Sequence, residues 1–483
     1  MKRIFCLALY LALAPVLARE PLRMPLDGST LPAATTFWYG VYMEGSKVGW
    51  IRITLGLTPD GQLIEEWENQ ASLQAMGEAI DVRSEERSEF DPSPPFGILR
   101  ARSDRATGSQ RQSLTLERTP TGFEATSHSP GGEHRMQHPA PDFTFEDSWT
   151  TLDWFRHKPG VGDALTVRSL NVEAARVDID TYHVDEADSG FVQGVLTQWY
   201  SGRMESSAAG ETGRYTAVAN GSFGQFSFAN AFEARLEDEY TARQISRGKD
   251  LFVMGEVRID SALGDPAKAQ HLVLEMTGEG ADRIPQGPRQ SVEKLHDGRH
   301  LLKIGAKNGI ATPATASEIN VSLASTLEFP ASDERILSLA KRGIGDAQSG
   351  AEKVRRLVAF VSDYVEDRLS PAGAFNALDV VASRRGDCTE HSVLFTALAR
   401  AAGIPARIVS GLMYMGDSTR AFGGHAWSEV VIDGHWVPVD ATWNQTEVDA
   451  THIMIGTGDE GEVAHLWVIG RLQLKLVDIE RGP

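Results

Sequence analysis

Three residues in this chain have the types and settings that nucleophilic catalysis needs. Cys388 follows Arg385-Gly386-Asp387 and precedes Thr389-Glu390-His391. His425 lies in Gly424-His425-Ala426-Trp427, and Asp440 closes Trp436-Val437-Pro438-Val439-Asp440. A thiol can attack a carbonyl carbon, an imidazole can take its proton and pass it to a leaving amine, and a carboxylate can orient that imidazole. The 483 residues contain two cysteines. Cys6 falls in an N-terminal apolar stretch read below as a cleaved signal, which leaves Cys388 alone and rules out an internal disulfide. A single thiol outside the cytoplasm risks oxidation and mispairing, so its retention suggests a use.

The positioning elements can be read locally. Asp387, with Glu390 three residues on, forms a capping box, so Cys388 is the first residue of a helix. Leu394, Phe395, Leu398 and Ala402 give that helix its buried stripe, and Gly403 with Pro405 ends it. The positive end of a helix favours a thiolate, whereas Asp387 and Glu390 oppose it, so the helix alone is not enough and a base is needed. Asp433-Gly434 is a favoured two-residue hairpin turn. With that turn, Ile432 opposes His435, Trp427 opposes Asp440 and His425 opposes Thr442. His425 and Asp440 then share a face as diagonal neighbours about 7–8 Å apart, and a slip of one residue would separate them. His435 faces away, toward solvent. The backbone N–H of Cys388 is one donor for an oxyanion, and Asn376 is a candidate for the second. His391 and Glu390 support the nucleophile's helix, while Trp427, Tyr414 and Trp443 either wall a substrate cleft or pack in the core. Metal is not expected, because one thiol with scattered histidines lacks close ligand pairs, and no cofactor is called for.

At these positions the chain resembles the transglutaminase-like superfamily, particularly its bacterial secreted members. The matching pieces are Gly386-Asp387-Cys388-Thr389-Glu390-His391, Gly403-Ile404-Pro405-Ala406-Arg407, Gly424-His425-Ala426-Trp427-Ser428-Glu429-Val430 and Trp436-Val437-Pro438-Val439-Asp440-Ala441-Thr442-Trp443. The resemblance spans residues 331–460. It implies a papain-like α+β core with Cys388 as nucleophile, His425 as base and Asp440 as orienting acid. It also implies one of several outcomes: cleavage of an amide or peptide bond through a thioester, transfer of the acyl group to an amine, or a silent member that only binds.

The remaining chain sets the context. Lys2-Arg3, an apolar run from Ile4 to Leu13 and the small residues ending at Ala18 read as a secretory signal over residues 1–18, placing the mature protein in the periplasm or outside the cell. No later run is long and apolar enough to span a membrane. A formal charge of −19, or −21 without the signal, argues against nucleic acid or an anionic membrane as partner. A protein or peptide is the expected substrate.

From residue 19 to 247 a period of two dominates, as in Trp38–Met43 and Val48–Ile53 around Glu44-Gly45-Ser46. Further strands are expected at Leu63–Leu73, Ala79–Phe90, Gln112–Glu117, Ala164–Leu170, Ala175–His183, Gly194–Trp199 and Phe226–Leu236, with one helix near Ser148–Phe155. These make a large antiparallel β domain, curved or folded on itself, whose surface could hold a protein partner. A smaller β-rich domain is expected over 248–330, with strands at Leu251–Ile259, His271–Thr277 and Glu318–Glu328 and a surface loop from Gly278 to Gln290. From 331 to 483 helical spacing takes over. Ile336, Leu337 and Ala340 mark one helix, Ser349 with Glu352 starts a second carrying Val354, Leu357, Val358 and Val361, and a third spans Ala374–Ser383.

Overall fold

The computed structural model describes residues 20–26, 31–75, 78–192, 195–206, 210–228, 232–245, 256–278, 280–305, 312–367, 376–458 and 472–482. The signal segment with Cys6, and the first part of the strand expected from Leu251, lie outside them. Among the described residues no helix is long and apolar enough to cross a membrane.

Alternating apolar residues build the N-terminal part into one large antiparallel sheet of fourteen strands. Ala101, Leu116 and Ala125 are cross-strand partners on three neighbouring strands, and all three are buried on one face. The strands from Thr35 to His138 form one meander and those from Ala164 to Glu237 a second. The two join where Thr35–Met43 pairs with Phe232–Glu237, Trp38 lying opposite Glu237. Helix Phe145–Arg156 drops Phe145 and Trp149 into a core that contains Leu63, Phe90 and Leu116 from one meander and Val172 from the other, so the sheet curls over this helix. The helix begins earlier than its apolar spacing predicts because Thr144 and Asp147 form a capping box. The strand expected over Phe226–Leu236 is two strands, Phe223–Phe228 and Phe232–Glu237, paired with each other.

The next segment departs further from expectation. Ala269–Gly278, Gln290–Lys294 and His300–Gly305 form a four-stranded sheet completed by Leu472–Arg481 from the far end of the chain. Its apolar face shares a core with Leu412, Tyr414, Phe422 and Ile453, so residues expected to form a separate unit are packed into the C-terminal domain. Glu318–Glu328 is not a strand. Thr315 and Glu318 form a capping box there and start helix Ala316–Val321, local capping having prevailed over β-branched content. Nor is the Gly278–Gln290 loop wholly at the surface, since Ala281, Ile284 and Arg289 are buried.

In the C-terminal domain helices Glu334–Ile344, Gly350–Tyr364, Ala377–Ser383 and Cys388–Ala401 pack on a sheet containing Ala406–Tyr414, Ala421–Ile432, His435–Val439 and His452–Thr457. The Ser349 side chain accepts from the Glu352 N–H as its spacing predicts, and Val354, Leu357, Val358 and Val361 are buried. Ile336 and Ala340 of the helix expected there are buried, and Leu337 is exposed. The helix that starts at Cys388 is the centre of this core, with Val393, Leu394, Phe395 and Leu398 buried on it.

The large sheet grips the C-terminal domain through the tip of one hairpin, Gly122–Ser129 with Gly132–His138. Ser129 Oγ donates to Asp379 Oδ1 at 2.6 Å and accepts from Asn376 Nδ2, the Gly131 N–H donates to the same Asp379 oxygen, and Arg335 Nη1 donates to the Gly131 carbonyl at 2.8 Å. A side chain at Gly131 would bring a Cβ within 2.5 Å of the Leu378 backbone carbon and 2.6 Å of the Asp379 nitrogen. Gly131→Ala should therefore push the hairpin off helix Ala377–Ser383 and destabilise the protein by about 1–3 kcal/mol. Urea denaturation with limited proteolysis of the hairpin measures this, and an unchanged midpoint and cleavage pattern would exclude a tight dock.

Candidate active site

Cys388 is where the sequence places it, the first residue of its helix. Asp387 caps that helix, its side chain accepting from the Thr389 N–H at 3.0 Å while Glu390 reaches back to the Asp387 N–H at 2.8 Å. Cys388 is partly buried. His391 is buried on the same helix, its Nδ1 bonded to the Asp387 carbonyl. Thr396 and Ser428 link the helix to the strand that carries His425, hydroxyl to hydroxyl at 3.2 Å.

The hairpin register is the one expected, with Ile432 opposite His435 and Ser428 opposite Val439. The ladder stops there. Asp440 pairs instead with Gln445 across a tight turn, so the predicted Trp427–Asp440 and His425–Thr442 oppositions do not form. The carboxylate nonetheless meets the ring, with His425 Nε2 2.7 Å from Asp440 Oδ2. With Nε2 engaged, Nδ1 is the nitrogen left for Cys388, which acts on this imidazole as both hydrogen-bonding and charge partner.

Burial and charge compete strongly here. Burial alone would depress the His425 value, but Asp440 and Cys388 outweigh it and lift the imidazole to about 9. Burial would raise the Asp440 carboxyl, but His425 and His452 hold it well below the usual carboxylate range. Its other oxygen accepts from the backbone N–H groups of Thr442 and Trp443.

Sequence reasoning missed the far side of this carboxylate. His452 Nε2 lies 3.2 Å from Asp440 Oδ2, and its Nδ1 lies 3.2 Å from Asp449 Oδ1. The signal available was a histidine three residues after an aspartate at the start of an apolar run. Among the described residues His425, Asp440 and His452 also bring donor atoms within 4.8 Å of one another, a spacing that could hold a metal ion. Their mutual hydrogen bonds already account for that closeness.

The aromatic candidates separate. Trp427 is buried and stacks on His425 with ring centroids 6.0 Å apart, so it backs the imidazole from the core. Gly411 leaves room for it, since a Cβ there would lie 2.6 Å from the Trp427 ring. Tyr414 is buried against Phe422, and its hydroxyl donates to Asp417 and accepts from the Leu263 N–H, which makes it a core residue. Trp443 alone of the three is open to solvent, 55% exposed, and its own backbone N–H donates to Asp440 Oδ1. Asn376 caps helix Ala377–Ser383 with its oxygen and bonds Ser129 with its nitrogen, so both ends of its amide are engaged away from an oxyanion role.

Residues 337–441, which carry Cys388, His425 and Asp440, match the family model of the transglutaminase-like superfamily. The chain therefore contains a transglutaminase-like domain, preceded by the large antiparallel sheet. Its sequence is similar to kyphoscoliosis peptidase of Mus musculus, at 28% identity over 116 residues, which is 22% of this chain and 18% of that protein. The human protein is 27% identical over 114 residues, 22% of this chain and 17% of its own length. The match thus spans less than a fifth of these relatives. Among solved structures, the periplasmic domain of TgpA from Pseudomonas aeruginosa bound to ethylmercury is 16% identical, with 40% of this chain and 95% of that chain covered at a TM-score of 0.26. A beta-barrel-like protein of a domain of unknown function from Brucella abortus is 6% identical, covering 42% and 95% at a TM-score of 0.30.

The raised His425 value has a consequence for stability. Its proton contributes stability that is fully present below the ordinary value of 6.5 and lost as pH climbs through about 9. Asp440, depressed, contributes in the opposite sense, with stability lost as pH falls through its folded value. The melting temperature should fall from about pH 7 to about pH 10, and Asp440→Asn should flatten much of that fall. Equal slopes in the two proteins would show that Asp440 does not hold the His425 proton.

Proposed function

We propose that this chain is an exported, cysteine-dependent hydrolase of amide or peptide bonds that works through a thioester. The observation that supports it is a partly buried cysteine at a helix start, paired by hydrogen bond and charge with an imidazole whose Nε2 is held by a buried carboxylate. Export rests on the basic, apolar and small-residue pattern of residues 1–18.

In this reading the sulfur of Cys388, its proton held by His425, bonds to the substrate carbonyl carbon. The backbone N–H of Cys388 faces the oxyanion that forms. The carbon–nitrogen bond then breaks, and the His425 proton passes to the leaving amine. Water attacks the thioester as His425 takes one of its protons, the carbon–sulfur bond breaks, and the thiolate beside an imidazolium is restored. Asp440 keeps the ring in the orientation and tautomer that both steps use.

The exposed indole of Trp443 beside Asp440 favours one second reading. An apolar platform there would shield the thioester from water and suit attack by an amine, which is transglutaminase chemistry.

Two measurements test these readings on the mature chain. At about pH 6, iodoacetamide should alkylate Cys388 well ahead of free cysteine, and a rate no faster would favour a silent binding protein. With a peptide substrate, Cys388→Ala should abolish turnover and Asp440→Asn should lower kcat by roughly 10³-fold or more. Incorporation of a labelled amine into a glutamine-containing protein, lost in Cys388→Ala, would replace hydrolysis with acyl transfer.

A further inference from the structure

The buried polar group that the proposed chemistry leaves unused is His452. It has 1% of its surface exposed, and both of its ring nitrogens face carboxylates. The contacts around those carboxylates favour their ionised forms. Asp440 Oδ1 accepts from two backbone N–H groups, and its Oδ2 faces two imidazole nitrogens. Asp449 Oδ1 accepts from the Thr451 N–H and hydroxyl and faces His452, and its Oδ2 accepts from Gln445 Nε2. Each carboxylate oxygen thus faces at least one donor or ring nitrogen, an arrangement that suits ionised carboxylates. A ring with an ionised oxygen at each nitrogen must carry both N–H groups.

We infer that His452 is a positioning residue, a buried imidazolium whose charge fixes Asp440 as a carboxylate and limits how tightly that carboxylate holds the proton on His425. The inference rests on the reading of Cys388, His425 and Asp440 as a catalytic set. Two imidazoles share a single carboxylate oxygen, and their ring centroids are 5.3 Å apart. Asp440 with no second cation would bind the His425 proton more strongly, leaving a weaker acid for the departing amine. The charge on His452 offsets part of that attraction, and Asp449 in turn stabilises His452. Burial would depress His452, yet the two aspartates raise it.

The other charged groups around it are already committed. Arg289 and Glu429 line the same cavity of about 20 Å³ as His452. Arg289 donates to the carbonyls of Gly305, Val448 and Asp449, and Glu429 accepts from Arg407 at 2.8 Å. Cys388 acts on His425 by hydrogen bond and charge.

The test follows the pH dependence of Cys388 alkylation and of kcat/KM in the full mature chain. His452→Gln keeps a donor toward one carboxylate and removes the charge. It should move the upper pH limb, set by His425, upward by about one unit or more and lower kcat more than it changes KM. Asp449→Asn, which retains polar contacts at that position, should move the limb in the same direction. A folded variant with an unmoved limb would overturn the inference while leaving the catalytic set intact. Slow alkylation of Cys388 in the unaltered protein would instead defeat the underlying reading. The unaltered protein also gives a direct readout. With ¹⁵N-labelled histidine, His452 should keep both N–H resonances from about pH 6 to about pH 9, and a single-proton neutral ring would overturn the inference whether or not the variants fold.

Discussion

A carboxylate with no exposed surface is the constraint on which the rest of the site depends. Asp440 is fully buried, and an unpaired charge in that position would cost several kcal/mol. It is tolerated because four donors surround it, two backbone N–H groups and two imidazoles. The backbone donors exist only because the chain leaves its strand after Val439 and closes a turn onto Gln445. Breaking the ladder one residue early is thus what lets a strand-end carboxylate be solvated by its own chain. The imidazole that it orients is in turn backed by a buried indole, which lies over the bare backbone of Gly411. Chemistry, turn geometry and packing converge on a single group.

The thiol is held differently. Cys388 belongs to the most deeply buried helix of its domain, yet the residue is only partly buried, sitting at the helix's first position. The capping box makes that start well defined, and Thr396 ties the helix to the neighbouring strand. A helix therefore carries the thiol and a strand the imidazole, with neither on a loop. Such an arrangement limits the reorganisation that the chemistry would require.

How much of this could be read from residue order depended on the range of the interactions. Capping boxes and the Asp433-Gly434 turn are local, and they placed Cys388 at a helix start and set the Ile432–His435 register correctly. The expected diagonal between His425 and Asp440 reached the right contact by an inexact route, since a regular ladder was assumed where the chain turns. His452 was illegible as a partner because it meets Asp440 only through sheet packing. The C-terminal strand Leu472–Arg481, which joins Ala269–Gly278 from some two hundred residues earlier, was beyond any local pattern. Helix Ala316–Val321 shows the reverse error, an available capping signal being passed over in favour of strand propensity.

The large N-terminal sheet begins and finishes side by side, because Thr35–Met43 and Phe232–Glu237 are adjacent antiparallel neighbours. A body of roughly two hundred residues is thus strung on the chain like a closed loop, with its two attachment points about one strand spacing apart. A segment so joined can be lengthened, shortened or exchanged without rethreading the rest of the polypeptide. The sheet can thus vary in size without altering the connectivity of the domain that carries the thiol, provided the hairpin at Gly131 keeps its dock.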